Sequence, residues 1–297
     1  MAKERIDKLL SHQGFGSRKD IKKLLRSSCV LLNGKQIFDP SLGIDPEKDQ
    51  LSVDGQVVSV QKEIYLMMNK IAHTISANRD GEHQTVFDLL SSDFKTPYLQ
   101  EKLHLVGRLD MDTEGLLLFT TDGALTHRLI SPKSHIEKTY FVMLERPFSP
   151  EEQAETARLF EEGIAVGPDD NEPGFVCQSA KVRFPDEEEI KTALEKSSID
   201  EVFERLKNAD DCKSGWESGS AEELTEKRTG TNDYDKNRFA ILSITEGKYH
   251  QVKRMFSAAG NKVLYLKRLS MGQLKLDDNL NTGEYRTLTD EEISFLL

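Results

Sequence analysis

One polar segment that leads straight into an apolar run most constrains what this chain can fold into. Residues 104–123 read HLVGRLDMDTEGLLLFTTDG. The apolar run 116–119 is bounded by Gly115 and by an Asp-Gly pair, which predicts a buried strand. Loops beside buried strands commonly carry active sites. We therefore expect Asp110 or Asp112 to face a pocket in which a cationic partner keeps the carboxylate ionised, although both acids could instead solvate a surface loop.

Length and cysteine usage limit the class of protein. At 297 residues the chain is long enough for a large core and for two domains. No apolar run approaches the roughly 18 residues that a membrane span needs, so we expect a cytoplasmic protein with no membrane partner. Cys29, Cys177 and Cys212 lack the paired spacing of zinc sites or disulfide frameworks. Reduced thiols and no metal site are the expectation.

The negative net charge of −11 hides an uneven distribution. Residues 186–235 contain 16 acidic and 7 basic residues, whereas residues 1–35 contain 9 basic and 3 acidic residues. A locally basic module on an acidic chain is compatible with RNA binding, which the total charge alone would argue against.

The basic N-terminal segment predicts two helices. Ile6, Leu9 and Leu10 have helical spacing, and the sequence from Ser17 to Asp20 is a capping box that opens a second helix. An apolar stripe on that second helix leaves a cationic surface that can meet phosphates, although solvated cations are the commoner case. The cations of this surface are Arg18, Lys19, Lys22, Lys23 and Arg26.

Two short hairpins are predicted next, because an Asn-Gly pair interrupts residues 30–37 and an Asp-Gly pair interrupts residues 51–58. The module ends near Val60. A second unit begins with an apolar strand at residues 64–70 and has a mixed α+β pattern. Its further strand candidates are residues 116–121, 140–144, 239–245 and 263–267, and its clearest helix lies between Tyr249 and Ala259 and is closed by Gly260.

Between about residues 186 and 237 the pattern gives way to acidic sequence, which we interpret as an insertion. Residues 187–207 could form an amphipathic helix within it, through Ile190, Leu194, Ile199, Phe203 and Leu206. A negative segment is repelled by RNA phosphates, so we expect it to project away from RNA, although it could instead restrict access or recruit another protein.

Three segments carry the residues with chemical potential: the Asp110 loop, the sequence Glu-Lys-Thr-Tyr ending at Tyr140, and residues 246–256. In the helix of the third segment, Val252, Met255 and Phe256 would face the core. The opposite side would hold His250, Lys253, Arg254 and Ser257. That helix could therefore aim a cation outward from a rigid element.

These segments carry a specific resemblance to a known family. The first 60 residues resemble the S-four-like RNA-binding domain, which is named for a small-subunit ribosomal protein. Residues 107–110 with the following Thr-Glu-Gly-Leu-Leu, residues 138–140 and residues 247–256 resemble, in order and spacing, the pseudouridine synthases typified by ribosomal small-subunit pseudouridine synthase A. One departure is Ile71, which follows Asn-Lys where the family usually has proline.

The resemblance implies an α+β fold with two domains. The first is a small S-four-like helix and hairpin domain at residues 1–60. The second is a pseudouridine synthase domain at residues 63–297, with a mixed, largely antiparallel sheet flanked by helices and the acidic insertion at about 186–237.

The resemblance also implies a cofactor-free isomerisation of uridine in RNA. Asp110 would be the essential acid, Lys253 its cationic partner, and Tyr140 would stack on the target base. Asp110 could attack the sugar or assist an elimination that forms a glycal, and both routes need an ionised carboxylate. The uridine must leave its stack, after which Arg108 could hold phosphate or fill the gap.

The expected partner is ribosomal RNA, with one small-subunit uridine in an incompletely assembled particle as the favoured substrate. The RNA-contacting cations would be Arg5, Arg18, Lys19, Lys22, Lys23, Arg26, Arg108 and Arg254. Three alternatives stay open: a large-subunit substrate, a non-catalytic RNA-binding assembly protein, and a magnesium-dependent phosphotransfer enzyme or nuclease using Asp110 and Asp112.

Overall fold

The computed structural model describes residues 4–13, 15–45, 48–58, 63–170, 172–200, 202 and 235–297. Within this part of the chain, no helix is long and apolar enough to cross a membrane.

The two predicted N-terminal helices are present. The elements at this end are β1 (Glu4–Arg5), α1 (Ile6–His12) and α2 (Arg18–Ser27). Ser17 and Asp20 form the predicted capping box, in which the Ser17 hydroxyl accepts from the Asp20 N–H and the Asp20 carboxylate accepts from the Ser17 N–H. This reciprocal pair satisfies two of the free amide groups at the start of α2 and fixes where the helix begins.

The predicted hairpins follow and complete a small separate core. The strands are β2 (Val30–Leu32), β3 (Lys35–Gln36), β4 (Gly43–Ile44), β5 (Leu51–Val53) and β6 (Gln56–Val58). Four of them form an antiparallel sheet in the order β3-β2-β5-β6, while β4 pairs with β1. Both residues of each two-residue turn have positive φ, which Asn-Gly and Asp-Gly tolerate. The apolar cluster under this sheet uses only residues from Ile6 to Val58.

A nine-stranded sheet forms the larger unit. Its strands are β7 (Tyr65–Lys70), β8 (His104–Leu105), β9 (Glu114–Thr120), β10 (Lys138–Leu144), β13 (Lys181–Arg183), β14 (Phe239–Ile244), β15 (Val263–Met271), β16 (Leu274–Lys275) and β17 (Tyr285–Thr287). Two further strands, β11 (Ala165–Val166) and β12 (Phe175–Val176), pair with each other in a separate sheet. The main path runs β13-β14-β10-β15-β9-β7-β17, and its pairings are antiparallel except for the parallel pair β15-β9. The prediction of a mixed, largely antiparallel sheet is confirmed.

Helices cover both faces of this sheet. They are α3 (Pro97–Lys102), α4 (Gly123–Ile130), α5 (Pro150–Glu162), α6 (Glu187–Leu194), α7 (Gln251–Ala258) and α8 (Asp290–Leu296). Tyr140, Val142 and Leu144 point to the face that packs against α3, α5 and α7, which we call the front face. Phe141 and Met143 alternate to the back face, where α6 packs, while α4 and α8 cover the back of β7 and β9.

The predicted amphipathic helix over residues 187–207 is wrong in its length. The helix ends at Leu194, and Lys196 adopts a left-handed conformation with φ of 50°. Ile190 and Ile199 still pack against the back face of the sheet. The apolar spacing therefore predicted the burial of Ile190 and Ile199 correctly, but the turn at Lys196 interrupts the helix. Phe203 and Leu206 lie outside the described residues, as does most of the predicted acidic insertion.

Candidate active site

The Asp110 loop connects β8 to β9 and is held by the segment that follows β7. The Ser76 hydroxyl donates to the Leu109 carbonyl at 2.7 Å and accepts from the Leu109 N–H at 3.1 Å. The His73 N–H donates to the Met111 carbonyl at 2.8 Å. These bonds fix the backbone on both sides of Asp110, so the carboxylate projects from a rigid loop.

Lys70 is the main internal support of this loop. Its side chain is completely buried at the end of β7, and its ammonium donates to the carbonyls of Ile71, Met111 and Thr113 at 2.9–3.2 Å. Burial lowers the pKa of Lys70 to about 8, although nearby carboxylates oppose the shift. Sequence reasoning did not assign Lys70 to the site. A lysine at the end of a strand that begins with an apolar run is the signal that could have indicated it.

The predicted pairing of Lys253 with Asp110 is present but is shared with a second acid. Lys253 Nζ lies 3.3 Å from Asp110 Oδ2, and 2.7 Å and 2.9 Å from the two carboxylate oxygens of Asp112. Partial desolvation would raise the pKa of Asp112, but the hydrogen bond and charge of Lys253 outweigh it and hold that pKa below its usual value. One ammonium therefore bridges both acids of the loop.

Helix α7 aims Lys253 because the turn before it is tightly bonded. The Gln251 side chain accepts from the Lys248 N–H at 3.0 Å and donates to Glu246 Oε1 at 2.6 Å. His250 enters the helix with a left-handed φ of 49°. Val252 and Phe256 pack into the front core, so the opposite edge of the helix presents Lys253 to the loop.

Arg254, which the sequence predicts as an RNA contact, is buried against the protein's own backbone. Arg254 is only 7% exposed. Its guanidinium donates to the Gly167 carbonyl at 3.2 Å and to the Pro173 carbonyl at 2.6 Å, and it lies 4.5 Å from the centre of the Phe175 ring. The helical pattern placed Arg254 on the outer side with Lys253, but residues 167–170 and 172–175 cover that side. Arg254 therefore holds this covering segment to α7.

The same covering segment supplies carboxylates to the start of α7. Asp169 Oδ2 lies 2.8 Å from His250 Nδ1, and the Tyr249 hydroxyl donates to Asp170 at 2.8 Å. His250 Nε2 is 3.9 Å from Asp110 Oδ2. Asp169, Asp170 and His250 are close enough together to ligate a cation, but their hydrogen bonds already account for the arrangement.

Tyr140 and Arg108 complete a small pocket with Asp110 and Lys253. The pocket has a volume of about 70 Å³, which is room for a few water molecules. Tyr140 is 7% exposed and sits on the front face of β10, whereas Arg108 is exposed to solvent. The structure thus brings together the three residues predicted to be catalytic and one predicted RNA contact.

The five cations predicted on α2 are all exposed, as an RNA-binding surface requires. Lys23 Nζ lies 4.0 Å from Asp20, which leaves it largely solvated. Arg5 is more constrained, because its guanidinium donates to both carboxylate oxygens of the buried Asp7 at 2.8–3.1 Å. More than half of the Arg5 side chain stays exposed.

Comparison with known proteins shows which family has this fold and site. The family model for RNA pseudouridylate synthase matches residues 64–258, which contain the pocket residues Arg108, Asp110, Tyr140 and Lys253. The chain belongs to the RNA pseudouridylate synthase family. The model for the S4 domain matches residues 4–51, where the exposed cations of α2 lie.

Relatives match along nearly the whole chain. An uncharacterized RNA pseudouridine synthase, YtzG of Bacillus subtilis strain 168, is 39% identical over 292 residues, covering 98% of each chain. Ribosomal small subunit pseudouridine synthase A of Haemophilus influenzae is 33% identical over 293 residues and covers 99% of each. A solved pseudouridylate synthase is similar, with a TM-score of 0.54, 31% identity and 99% coverage of each chain. The protein is an RNA pseudouridine synthase of the small-subunit synthase A type, and hence an isomerase acting on RNA.

Proposed function

We propose that this synthase converts one uridine of small-subunit ribosomal RNA to pseudouridine, with Asp110 as the reacting carboxylate. The observation that carries the proposal is the Lys253 ammonium 3.3 Å from Asp110 Oδ2, in a pocket that also contains Tyr140. A cation at this distance favours the ionised carboxylate that the chemistry requires. Lys253 is the positioning partner of Asp110, and the ring of Tyr140 supports the target base by stacking.

The reaction breaks the bond between uracil N1 and the ribose C1′ and makes a bond between uracil C5 and C1′. The C5 proton is lost and N1 gains a proton, so atoms and charge balance without an oxidant or a reductant. Asp110 either attacks C1′ and is later displaced, or takes a proton from the sugar to give a glycal. Both routes place an ionised carboxylate against the ribose.

The target uridine must leave its stack to reach Asp110, which costs a few kcal/mol. Arg108 is exposed beside the acid, so it can hold a phosphate or fill the vacated position. We assign RNA capture to residues 1–60 and the reaction to residues 63–297. Exposed cations of α2 favour this division, as does the separate N-terminal core.

The choice of small-subunit RNA rests on the relatives whose names specify it, including the Haemophilus influenzae enzyme. We further propose that an incompletely assembled particle is the substrate, and that the acidic segment at about 186–237 is open to a protein partner. The magnesium alternative is less favoured, because the Lys253 ammonium already occupies the position between Asp110 and Asp112.

The test is carbodiimide mapping of pseudouridine in ribosomal RNA of both subunits, naked and in assembly particles. Each RNA is incubated with wild type or with Asp110→Ala. A single new small-subunit site made only by wild type, also in EDTA, supports the proposal. A large-subunit site would overturn the substrate assignment. No site in any RNA would favour a binding role without chemistry.

A further inference from the structure

A second cavity adjoins the active-site pocket on the front face of the sheet. Its volume is about 280 Å³, and it shares Arg108, Tyr140, Gly247 and Lys248 with the smaller pocket. Nothing in the proposed reaction at Asp110 uses the rest of this cavity. The remaining wall includes two buried cations, Lys138 and Arg268.

Lys138 is buried without a carboxylate partner. Its side chain is 8% exposed, and no carboxylate of the described residues lies within 4.0 Å of its ammonium. Lys138 and Tyr140 alternate with Thr139 along β10, whose pairing with β14 is regular, so both point to the front face. Burial lowers the pKa of Lys138, the neighbouring charge of Arg268 lowers it further, and the charge of Glu246 opposes the shift without reversing it. An unpaired ammonium at this depth is costly unless an anion joins it.

Arg268 is also incompletely satisfied. It is 2% exposed and lies opposite Tyr140 on β15. Its Nε donates to the Leu116 carbonyl at 2.7 Å, but its buried Nη2 has no hydrogen-bond partner within the described part of the chain. Buried guanidinium donors in folded proteins nearly always have acceptors, so the missing acceptor itself points to a ligand.

Positively charged side chains predominate in the cavity wall. Its cations are Lys138, Arg268, Arg108 and Lys248, and its one acid within the described residues is Glu246. Glu246 is already occupied, because it accepts from the Gln178 N–H at 2.8 Å and from Gln251 at 2.6 Å and lies 3.1 Å from Lys248. The wall therefore carries positive charge that the protein does not neutralise.

We propose that this cavity is a phosphate subsite, in which Lys138 and Arg268 bind a backbone phosphate of the RNA beside the nucleotide that reaches Asp110. Lysine and arginine are the usual partners of phosphate, and a phosphate oxygen supplies the acceptor that Arg268 Nη2 lacks. The proposal rests on the proposed function for the identity of the RNA. The subsite would fix the register of the flipped uridine through its own backbone, independently of base sequence.

The first test measures inorganic phosphate binding by phosphorus NMR and calorimetry. Wild type is compared with Lys138→Met, with Lys138→Arg and with the matched control Lys133→Met. Lys133 is exposed, lies five residues earlier and does not line the cavity. We expect Lys138→Met to weaken phosphate binding at least tenfold, and Lys133→Met and Lys138→Arg to bind within about threefold of wild type. Equal binding by wild type and Lys138→Met, with both proteins folded by circular dichroism, would overturn the subsite.

The second test uses RNA with one neutral methylphosphonate linkage at a time around the modified uridine. One linkage should weaken wild-type binding at least tenfold and leave the binding of Lys138→Met unchanged, which is the coupling expected of a direct contact. Equal losses in both proteins at every linkage would contradict the proposal. Phosphate binding by Asp110→Ala, which should equal that of wild type, keeps this outcome separate from a failure of the proposed reaction.

Discussion

At the residue scale, the site depends on two lysines that differ in burial and in the groups they bind. Lys253 is partly exposed and neutralises Asp110 and Asp112 together, so its charge is well compensated. Lys70 is fully buried, and its ammonium donates hydrogen bonds to three backbone carbonyls at the catalytic loop and the end of β7. Lys253 therefore balances the charge of the acids, and Lys70 holds the backbone of the loop that carries them.

Replacing Lys253 by methionine should lower the single-turnover rate of pseudouridine formation about 10²-fold, because Asp110 loses the cation that orients it. Lys253→Arg keeps the charge and should stay within about tenfold of wild type. A Lys253→Met enzyme with the wild-type rate would show that Lys253 does not position Asp110.

The burial of Lys70 predicts a specific pH dependence of stability. The folded-state pKa of about 8 lies below the ordinary lysine value of 10.5, so between these values the unfolded chain binds more protons and stability rises with pH. Relative to Lys70→Met, the free energy of unfolding of wild type should increase by about 2 kcal/mol from pH 7.5 to 9.5. Urea denaturation of both proteins measures this difference. A difference that stays flat or falls over this range would contradict the assignment.

At the element scale, the catalytic loop depends on the parallel contact between β9 and β15. Gly115, in the Thr-Glu-Gly motif, lies opposite Arg268 and has a φ of 97°. A Cβ atom added there would lie 2.3 Å from the Arg268 carbonyl oxygen and 2.7 Å from its nitrogen. Only glycine allows the strand that follows Asp110 to approach the strand that carries Arg268.

Gly115→Ala should therefore destabilise the fold by about 3 kcal/mol, from strain and overpacking together. Gly123→Ala is the control, because Gly123 lies at the start of α4, has ordinary φ and has no atom within 4 Å of an added Cβ. The control should be neutral or slightly stabilised. Thermal and urea unfolding measure the stability of both variants. Equal stability of the two would show that position 115 does not require glycine.

Elements with strong local signals could be predicted from the sequence. The Ser17 capping box, both turn-centred hairpins and the strand after Gly115 are encoded by neighbouring residues. Asp110, Tyr140 and Lys253 were found together because three separate motifs pointed to one family. The environments of Arg254 and Arg268 were not predictable, because distant segments create them. Gly167, Pro173 and Phe175 contact and cover Arg254, and the pairing of β9 with β15 places Arg268.

At the scale of the whole molecule, RNA capture and reaction are assigned to different parts of the chain. The overall charge of −11 is unfavourable for RNA, so binding depends on where the cations lie. Those of α2 are exposed on a module with its own core, whereas those of the catalytic unit border the cavities near Asp110. The first set would supply affinity and the second would set register.

Charge reversal on α2 tests this division. Lys22→Glu/Lys23→Glu should weaken RNA binding and reduce the slope of log K against log salt by about 1.4 to 1.8, because two phosphate contacts are lost. The turnover rate at saturating RNA should stay near that of wild type. Lys181→Glu/Lys262→Glu, an equal charge change on exposed residues of the catalytic unit, is the control. Equal effects of the two double variants would mean that only net charge matters.

The most direct test of the central claim compares two isosteric variants of the acids that Lys253 bridges. Pseudouridine formation in the mapped RNA is measured under single-turnover conditions for Asp110→Asn and Asp112→Asn. Asp110→Asn should lose at least about 10³-fold in rate while still binding RNA, and Asp112→Asn should stay within about tenfold of wild type. An Asp110→Asn enzyme that keeps its activity, whether Asp112→Asn is active or inactive, would contradict the assignment of Asp110 as the reacting carboxylate.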